Sequence, residues 1–330
     1  MSVRLIAFTD QGEELAKRIA DKFEGTVLRS HGHDQRDSWT KENFMTGNVL
    51  IFIGALGICI RTIAPYVCDK TTDPAVIDID DRAVHVIPVL SGHLGGANAF
   101  ARELADFLDS DLVLTTATDV NGRFPVDDWA RKNGLRVLNT KRIKHVSSSL
   151  LSGKTVKASS DVTITGDLPE GIVLSDTDPD IYIGYRKTGD RALTLVPKMC
   201  VLGIGCRRGT SYEDLEEGLQ WFLEEHGILR ESISAVASID LKKDEEGLKT
   251  LCEKNGWDFI TYSAEELKAV EGVFSASEFV SSVTGVDNVC ERSALRCAGP
   301  GGELIVRKQA REGKTYALAV MDMKYDWRCN

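Results

Sequence analysis

Residues 84–108 read VHVIPVLSGHLGGANAFARELADFL, in which an apolar run, a glycine-rich turn and a helical pattern follow one another. Residues 84–90 are rich in apolar and β-branched side chains, which predicts a strand. Residues 97–108 repeat apolar side chains at helical spacing, which predicts an amphipathic helix. Because a strand that leads through a short turn into a helix is the repeating unit of parallel sheets, this stretch predicts an α/β fold.

The same alternation of strands and helices fills the sequence before this stretch and continues after it. A helix is predicted to begin at Asp10, where Glu13 three residues later completes a capping pattern. Five further β-rich runs predict the other strands: residues 3–8, 26–29, 49–53, 76–79 and 112–115. The N-terminal domain, residues 1–125, is therefore predicted to be a doubly wound, mostly parallel sheet covered by helices.

The remaining sequence changes character twice. Residues 126–197 begin with two helical patterns and continue with short strands broken by glycine, proline and aspartate, which predicts a small antiparallel middle module. Residues 198–330 restore the alternation of strands and helices and predict a second α/β domain of three layers. A chain of 330 residues exceeds the size at which one core stops growing, so several domains are expected.

Charge and hydropathy exclude several classes of protein. The net charge of -10 argues against a surface for nucleic acid or anionic membranes, since both require a positive field. The longest apolar stretch, residues 49–60, is well short of the roughly 20 residues that span a membrane. The N-terminus lacks the pattern of a signal peptide, and the eight cysteines form no C-x-x-C pair, so we expect a cytoplasmic protein with reduced thiols.

The glycine-rich turn holds the strongest candidates for chemistry, namely Ser91, Gly92, His93, Gly95, Gly96 and Asn98. Glycines let the backbone approach a ligand, and the free N–H groups at a helix start bind a carboxylate or an oxyanion. His93 exchanges protons near neutral pH, so a hydrolytic centre is expected here. The alternative is that the turn is only structural and that His93 caps the helix.

Two other turns are predicted to face the same sheet edge as His93, because both follow predicted strands. They contain Gly54, Gly57 and Arg61 in one case and Thr115, Thr116 and Asp119 in the other. Asp119 would orient His93 or a water molecule, as a carboxylate does for a catalytic imidazole. The alternative is that Asp119 only makes a turn with Asn121 and Gly122.

A second glycine-rich segment is predicted to join a strand to a helix in the C-terminal domain. The candidates are Gly203, Gly205, Cys206, Arg207 and Arg208, together with Ser238 and Asp240 after the next strand. Arginines bind carboxylates through two parallel hydrogen bonds, so the segment predicts an anion-binding turn. Its glycine spacing misses the dinucleotide-binding fingerprint by one residue, and we expect Cys206 to be a bystander thiol.

His31 and His33 stand two residues apart in a polar stretch that is predicted to be a loop. Two histidines at this spacing can hold a metal ion, but in a polar loop they more often stay solvated. We therefore expect no metal site at this position.

Several short motifs recur in one family of known proteins. The N-terminal motifs are GALG at 54–57, SGHLGGAN at 91–98 and TTATD at 115–119. The C-terminal motifs are LGIGCRRG at 202–209, SID at 238–240 and AGPGGELIVRK at 298–308. As a set they are specific, and across nearly the whole chain the sequence resembles the cobalt-precorrin-5A hydrolase family, also called cobalamin biosynthesis protein CbiG.

The resemblance implies a hydrolase of anaerobic cobalamin biosynthesis. Such an enzyme opens the δ-lactone of cobalt-precorrin-5A and releases acetaldehyde to give cobalt-precorrin-5B. The cobalt belongs to the substrate, so neither a cofactor nor a protein-bound metal is expected. His93 would activate water, with Ser91 and Asp119 as the other catalytic residues, while N–H groups around Gly95 and Gly96 hold the oxyanion.

The resemblance also implies how the substrate is bound. Arg61, Arg207 and Arg208 would bind the acetate and propionate groups of the tetrapyrrole, in a cleft between the two α/β domains. We expect no nucleic-acid or membrane partner, whereas a homodimer and transient contacts with neighbouring pathway enzymes are compatible with the sequence. Two alternative functions stay open: a non-catalytic tetrapyrrole carrier, and a nucleotide-binding oxidoreductase or transferase that uses Gly203 and Asp240.

Overall fold

A computed structural model describes residues 2–69 and 71–328, without the side chains of residues 278–280. Of the eight cysteines, Cys329 lies outside the described residues. The chain forms two compact units, one of Met1–Lys132 with Ser147–Lys154 and one of Asn133–Val146 with Thr155–Asn330. The predicted domain boundaries after residues 125 and 197 stay predictions.

The first unit contains six strands and the helices between them. In chain order the elements are β1 Ser2–Ala7, α1 Asp10–Phe23, β2 Thr26–Arg29, α2 His33–Asn43, β3 Asn48–Ile53, α3 Leu56–Ile63, β4 Ala75–Ile79, β5 His85–Leu90, α4 Ala97–Leu108, β6 Asp111–Leu112, α5 Ala117–Val120 and α6 Val126–Lys132. The strands form one sheet in the order β2-β1-β3-β4-β5-β6. All neighbouring strands are parallel except β4 and β5, which confirms the predicted mostly parallel sheet.

Helices cover both faces of this sheet because successive strand residues point to opposite sides. Leu5 and Ile51 belong to a buried cluster with apolar residues of α1 and α4. Ile6 and Phe52, their neighbours in sequence, belong to a second cluster with Cys59 and Ile63 of α3. The sheet is therefore doubly wound, as its apolar strands predict.

The direction of β5 decides which turns meet. Only five residues separate β4 from β5, and the carboxylate of Asp80 accepts hydrogen bonds from the N–H groups of Arg82 and His85 in this turn. A connection this short permits only an antiparallel return, since a parallel neighbour needs a crossover of a dozen or more residues. The carboxyl ends of β5 and β6 consequently lie at the edge opposite to the carboxyl end of β3. The prediction that Gly54 and Gly57 face the same edge as His93 is therefore wrong.

The second unit begins with short strands. The elements are β7 Arg136–Leu138, α7 Lys141–Leu151, which both units share, β8 Val156–Ser160, β9 Thr163–Thr165, β10 Ile172–Leu174, β11 Ile181–Ile183 and β12 Leu193–Val196. Five of these strands form a sheet in the order β10-β8-β11-β12-β7, while β9 pairs elsewhere. Only β12 and β7 are antiparallel, so the predicted antiparallel middle module is wrong. The glycine- and proline-rich breaks are loops that carry the chain back to the same edge before each new strand begins.

Most of the C-terminal elements form a third sheet with helices on both sides. They are β13 Cys200–Cys206, α8 Tyr212–Glu225, a 3-10 turn Arg230–Ser232, β14 Ile233–Ile239, a 3-10 turn Asp240–Lys242, α9 Glu246–Asn255, β15 Asp258–Tyr262, α10 Ala264–Lys268, α11 Glu278–Thr284, α12 Cys290–Ala298, β16 Glu303–Arg311, β17 Lys314–Val320 and β18 Lys324–Asp326. The strand order is β15-β14-β13-β17-β16, with β16 and β17 antiparallel to their neighbours. Tyr316 Oη donates to the carbonyl of Leu215 in α8, and Ser293 Oγ of α12 donates to Ala237 on the opposite face. The predicted three-layer α/β domain is confirmed.

Gly203 and Gly205 lie inside β13 and not in the turn that follows it. A Cβ atom at Gly203 would lie 1.8 Å from the carbonyl oxygen of Cys290, where α12 begins, and one at Gly205 would lie 2.5 Å from Thr315 Oγ1. These glycines are needed because α12 and β17 pack directly against the strand. The prediction that they belong to an anion-binding turn is wrong, since that turn begins only at Arg207.

We expect the substitution Gly203→Ala to destabilise the second unit. The added methyl group would meet backbone atoms of α12, and such overpacking costs about 1–3 kcal/mol of unfolding free energy or more. The measurement is denaturant unfolding followed by circular dichroism. Gly57→Ala is the matched control, because its nearest neighbour is the end of the flexible Arg61 side chain; an equal loss in both variants would contradict the packing explanation.

Candidate functional site

The turn between β5 and α4 is closed by its own backbone. The N–H of Gly96 donates to the carbonyl of His93 at 2.9 Å, and the N–H groups of Ala97 and Asn98 donate to Ser91 and Gly92 at 3.2 and 2.8 Å. The first N–H groups of α4 are thus already bonded within the turn. The N–H of Gly96 is therefore not free to hold an oxyanion, which is its predicted role.

The glycines of this turn are required by close contacts. A Cβ atom at Gly95 would lie 2.4 Å from Cβ of Ser91, and one at Gly92 would lie 2.6 Å from Oδ1 of Asn98. Gly96 has a φ of 83°, in the left-handed region that glycine adopts without strain. The compact turn fixes the backbone of His93 at the end of the strand.

His93 lies between two aspartates that come from different helices. Its Nε2 is 2.8 Å from Oδ2 of Asp119 on α5, and its Nδ1 is 3.1 Å from Oδ1 of Asp127 on α6. The side chains of His93, Asp119 and Asp127 are only 11%, 13% and 7% exposed. The parallel pairing of β6 with β5 makes this possible, because it brings α5 to the edge at which β5 ends.

This geometry fixes the charge of His93. An ionised carboxylate only accepts hydrogen bonds, so two carboxylate partners require an N–H on both ring nitrogens. Burial by itself would lower the pKa of His93, but the hydrogen bonds and charges of Asp127 and Asp119 outweigh it and raise the pKa from 6.5 to about 9. His93 is therefore a cation at neutral pH. A ring protonated on both nitrogens has no free lone pair with which to take a proton from water, and the role of His93 as general base stays a prediction.

Asp119 is held by two further donors. Asn98 Nδ2 donates to Oδ2 of Asp119 at 3.0 Å and approaches Thr116 Oγ1 at 3.1 Å, while Arg102 Nη2 lies 3.3 Å from Oδ1. The Arg102 side chain is 53% exposed. The structure thus brings together four residues that the sequence analysis singled out, His93, Asn98, Thr116 and Asp119, whereas Thr115 is exposed beside them.

The side chain of Ser91 bonds to a different segment of the chain. Its Oγ donates to the carbonyl of Asp73 at 3.0 Å, and its φ of 55° is in the left-handed region. The carboxylate of Asp73 in turn accepts from the N–H of Cys68. Ser91 therefore ties the turn to the segment before β4, and its catalytic role stays a prediction.

Arg61 lies on α3, away from His93. Its Nη1 donates to the carbonyl of Gly57 at 3.1 Å, one turn earlier in the helix. Arg61 also lines a cavity of ≈ 330 Å³ together with Arg36, Asp37 and Tyr66. The N-terminal candidates thus divide between two places in the first unit.

The C-terminal candidates lie in the second unit. Ser238 is fully buried and donates to the carbonyl of Ile204 at 2.7 Å, which is a structural role. Burial raises the pKa of Cys206, so its thiol is not activated. Arg207, Arg208 and Asp240 follow β13 and β14 at the carboxyl edge of the sheet, where their predicted binding role remains a prediction.

The sequence analysis missed Asp127, Arg102 and Arg131. Asp127 stands in the first turn of α6, where acidic residues are ordinary, and it falls beyond the boundary predicted after residue 125. The Arg131 guanidinium is 3.4 Å from where a Cβ of Gly96 would stand, so the glycine leaves room for it. The one available signal was the pairing of two adjacent acidic residues, Asp127 and Asp128, with a nearby glycine-rich turn.

His33 begins α2 and is not in a loop as predicted. Its exposed ring contacts Asp37 one turn later, with 2.9 Å between Nδ1 and Oδ2. Within residues 2–69 and 71–328, we found no group of three or more His, Cys, Asp or Glu side chains arranged to hold a metal ion. Nor does any helix in that part of the chain have the length and apolarity to cross a membrane.

The fold and the site define a class: a multidomain α/β protein whose N-terminal sheet presents a histidine clamped by two aspartates. Family models described as "Cobalamin synthesis G N-terminal", "Cobalamin biosynthesis central region" and "Cobalamin synthesis G C-terminus" match residues 38–119, 124–202 and 200–319. The cobalt-precorrin-5A hydrolase of Salmonella typhimurium is 35% identical over 344 residues, covering 97% of this chain and 97% of the relative. The chain belongs to the cobalamin biosynthesis protein G family, which confirms the resemblance found in the motifs.

Two further similar proteins are a second curated relative and a solved structure. The cobalt-precorrin-5A hydrolase of Priestia megaterium is 30% identical over 343 residues, with 93% of this chain and 91% of the relative covered. A crystal structure of a cobalamin biosynthesis protein G homolog from Sulfolobus solfataricus is 24% identical, covers 97% of each chain and has a TM-score of 0.41.

The raised pKa of His93 predicts how stability depends on pH. Because the pKa in the folded protein exceeds the unfolded value of 6.5, the contribution of His93 is complete below about pH 6.5 and is lost as pH rises through about 9. One pKa unit corresponds to about 1.4 kcal/mol, so the loss is at most about 3.5 kcal/mol. Urea unfolding between pH 6 and 9.5 measures it. In His93→Gln this fall should disappear, and an unchanged slope in that variant would contradict the assignment.

Proposed function

We propose that this protein hydrolyses the δ-lactone of cobalt-precorrin-5A and releases acetaldehyde, giving cobalt-precorrin-5B in anaerobic cobalamin biosynthesis. The observation that carries the proposal is the match of the whole chain, through all three family regions, to relatives named cobalt-precorrin-5A hydrolase. Matches that cover nearly all of both chains support the same domain content and hence the same reaction.

The His93 site supports hydrolytic chemistry at the N-terminal sheet. A lactone carbonyl gains negative charge when water attacks it, and a fixed cation beside it stabilises that charge. His93 is such a cation, held in place by Asp119 and Asp127. We therefore place the reacting lactone at the side of His93 that carries Asp119.

Arg102 and Arg131 support the binding of a polycarboxylate substrate. Both guanidinium groups border the His93 turn, and each is bonded to one carboxylate of the protein, Asp119 or Asp128. Arginine binds carboxylates in a forked geometry, and both side chains are partly exposed. These two residues place guanidinium groups beside the His93 turn, each held by one aspartate.

The proposal extends to cofactors, location and partners. The cobalt is part of the substrate, so we propose that the protein needs no cofactor and no metal of its own. We propose that it works in the cytoplasm on a small tetrapyrrole, with neither nucleic acid nor membrane as partner. A homodimer and transient contacts with neighbouring pathway enzymes stay predictions.

A direct assay tests the reaction. Purified protein is incubated with cobalt-precorrin-5A, and the products are followed by acetaldehyde detection and mass spectrometry. His93→Ala should lower the rate at least about 100-fold, because the substitution removes the charged group at the reacting centre. His85→Ala is the matched control: His85 is exposed at the other end of β5, and its loss should leave the rate unchanged.

The same assay, together with a calorimetric measurement of NAD binding, distinguishes the alternative functions. A tetrapyrrole carrier would bind cobalt-precorrin-5A without releasing acetaldehyde, and His93→Ala would not change that behaviour. A nucleotide-binding enzyme would bind NAD tightly in calorimetry. Gly203 and Gly205 lie within β13, so the turn on which the nucleotide hypothesis depended begins only at Arg207.

A further inference from the structure

Asp127 is the more buried of the two carboxylates that bind His93. It lies in the first turn of α6, whose Trp129 is fully buried, and its side chain is 7% exposed. Asp119 has a different setting, since it lies beside the exposed Val120 and accepts from the half-exposed Arg102. The ring of His93 thus has an inner nitrogen, Nδ1, and an outer nitrogen, Nε2.

We propose that Asp127 is a positioning residue, which holds His93 through Nδ1 as a doubly protonated ring, and that His93 acts in lactone opening as a proton donor through Nε2. The second half rests on the proposed function, whereas the first half concerns the resting protein alone. Asp119 shares the outer proton until the substrate arrives. It keeps its bonds to Asn98 and Arg102 when Nε2–H turns to the substrate.

The chemical step balances with water as the only other reactant. The oxygen of a water molecule bonds to the lactone carbonyl carbon. The bond from that carbon to the ring oxygen then breaks, and its electron pair goes to the ring oxygen. Nε2 of His93 gives its proton to that oxygen, which becomes a hydroxyl group. The added water loses one proton to the solvent, from which His93 regains one.

The charged groups around the ring agree with this assignment. Helix α6 contributes Asp127, with Asp128 paired to Arg131 at 2.9 Å. Helix α5 contributes Asp119, and α4 contributes Arg102, which is bonded to Asp119 and not to His93. Both carboxylates that contact the ring favour its cation.

Nuclear magnetic resonance on the full-length protein tests the resting state without any substrate. Histidines are labelled with nitrogen-15, and the His93 signals are identified by their loss in His93→Gln. In the wild type, both ring nitrogens should carry protons at pH 7.5. Asp127→Asn should lower the pH at which His93 titrates by about 1–2 units, because an amide has no charge. A wild-type His93 that is neutral at pH 7.5 would overturn the proposal.

Asp37→Asn is the matched control for this experiment. Asp37 contacts His33 in the same unit with nearly the same distance, but both side chains are exposed. This substitution should leave the His93 signals and the lactone-opening rate unchanged. A shift of the His93 titration in Asp37→Asn equal to that in Asp127→Asn would overturn the specific role of Asp127.

The pH profile of lactone opening tests the catalytic half. A proton donor must be protonated, so kcat should fall as pH rises through about 9, the value that burial and the two aspartates set for the His93 pKa. In Asp127→Asn the fall should move to lower pH, with kcat at pH 8 reduced about two- to tenfold and KM little changed. Asp127→Glu keeps the charge and should restore the profile in part, which a merely structural role would not.

The resonance experiment and the pH profile together show which part of the proposal is wrong if a result disagrees with it. If the resonance experiment finds the cation but the wild type opens no lactone, the proposed function is wrong. The role of Asp127 in holding His93 as a cation is then still supported. If the wild type is active but kcat rises with pH through the His93 titration, His93 is a base and the proposal fails. Circular dichroism of each variant confirms that it is folded, and the wild-type resonance experiment remains decisive if Asp127→Asn does not fold.

Discussion

The pairing of β5, antiparallel to β4 and parallel to β6, is the constraint on which the site depends. Five residues join these strands, too few for a crossover, so β5 runs opposite to β3 and β4. The turn that carries His93 therefore emerges at the edge where β6 also ends, and α5 and α6 follow there. Because β6 is parallel to β5, the helices that carry Asp119 and Asp127 meet the His93 turn at this edge, opposite to the edge of the Gly54 turn.

The charges gathered at this edge must stabilise one another. A cation taken out of water loses much of its solvation, and only well-aligned opposite charges compensate for that loss. His93 has a carboxylate within 3.1 Å of each ring nitrogen, and Asp119 has Asn98 and Arg102 as further donors. Because every partner is itself held by a helix, the ring keeps one orientation. The same arrangement that stabilises the cation also bears on its chemistry, since a ring with an N–H on both nitrogens has no free lone pair for a proton from water.

The glycines of the two glycine-rich segments are required for different reasons. In residues 91–98 the glycines avoid contacts within the turn itself and shape the backbone that carries His93. In residues 203–205 they avoid contacts with α12 and β17, elements that lie about 90 to 110 residues later in the chain. A pattern of glycines indicates that other atoms lie close to the backbone. Only the folded structure shows which residues those atoms belong to.

The sequence by itself determined the α/β class, the six strands of the N-terminal sheet to within a few residues, the family, and the place of His93 and Asp119 after strands. These properties depend on local periodicity and on short motifs, which a linear sequence contains. The tertiary structure alone decided that Gly54 lies at the other edge, that the middle sheet is mostly parallel, that Ser238 is buried, and that Asp127 reaches Nδ1 of His93. Strand direction, burial and the charge of a ring depend on contacts between residues that are distant in sequence, and those contacts exist only once the chain has folded.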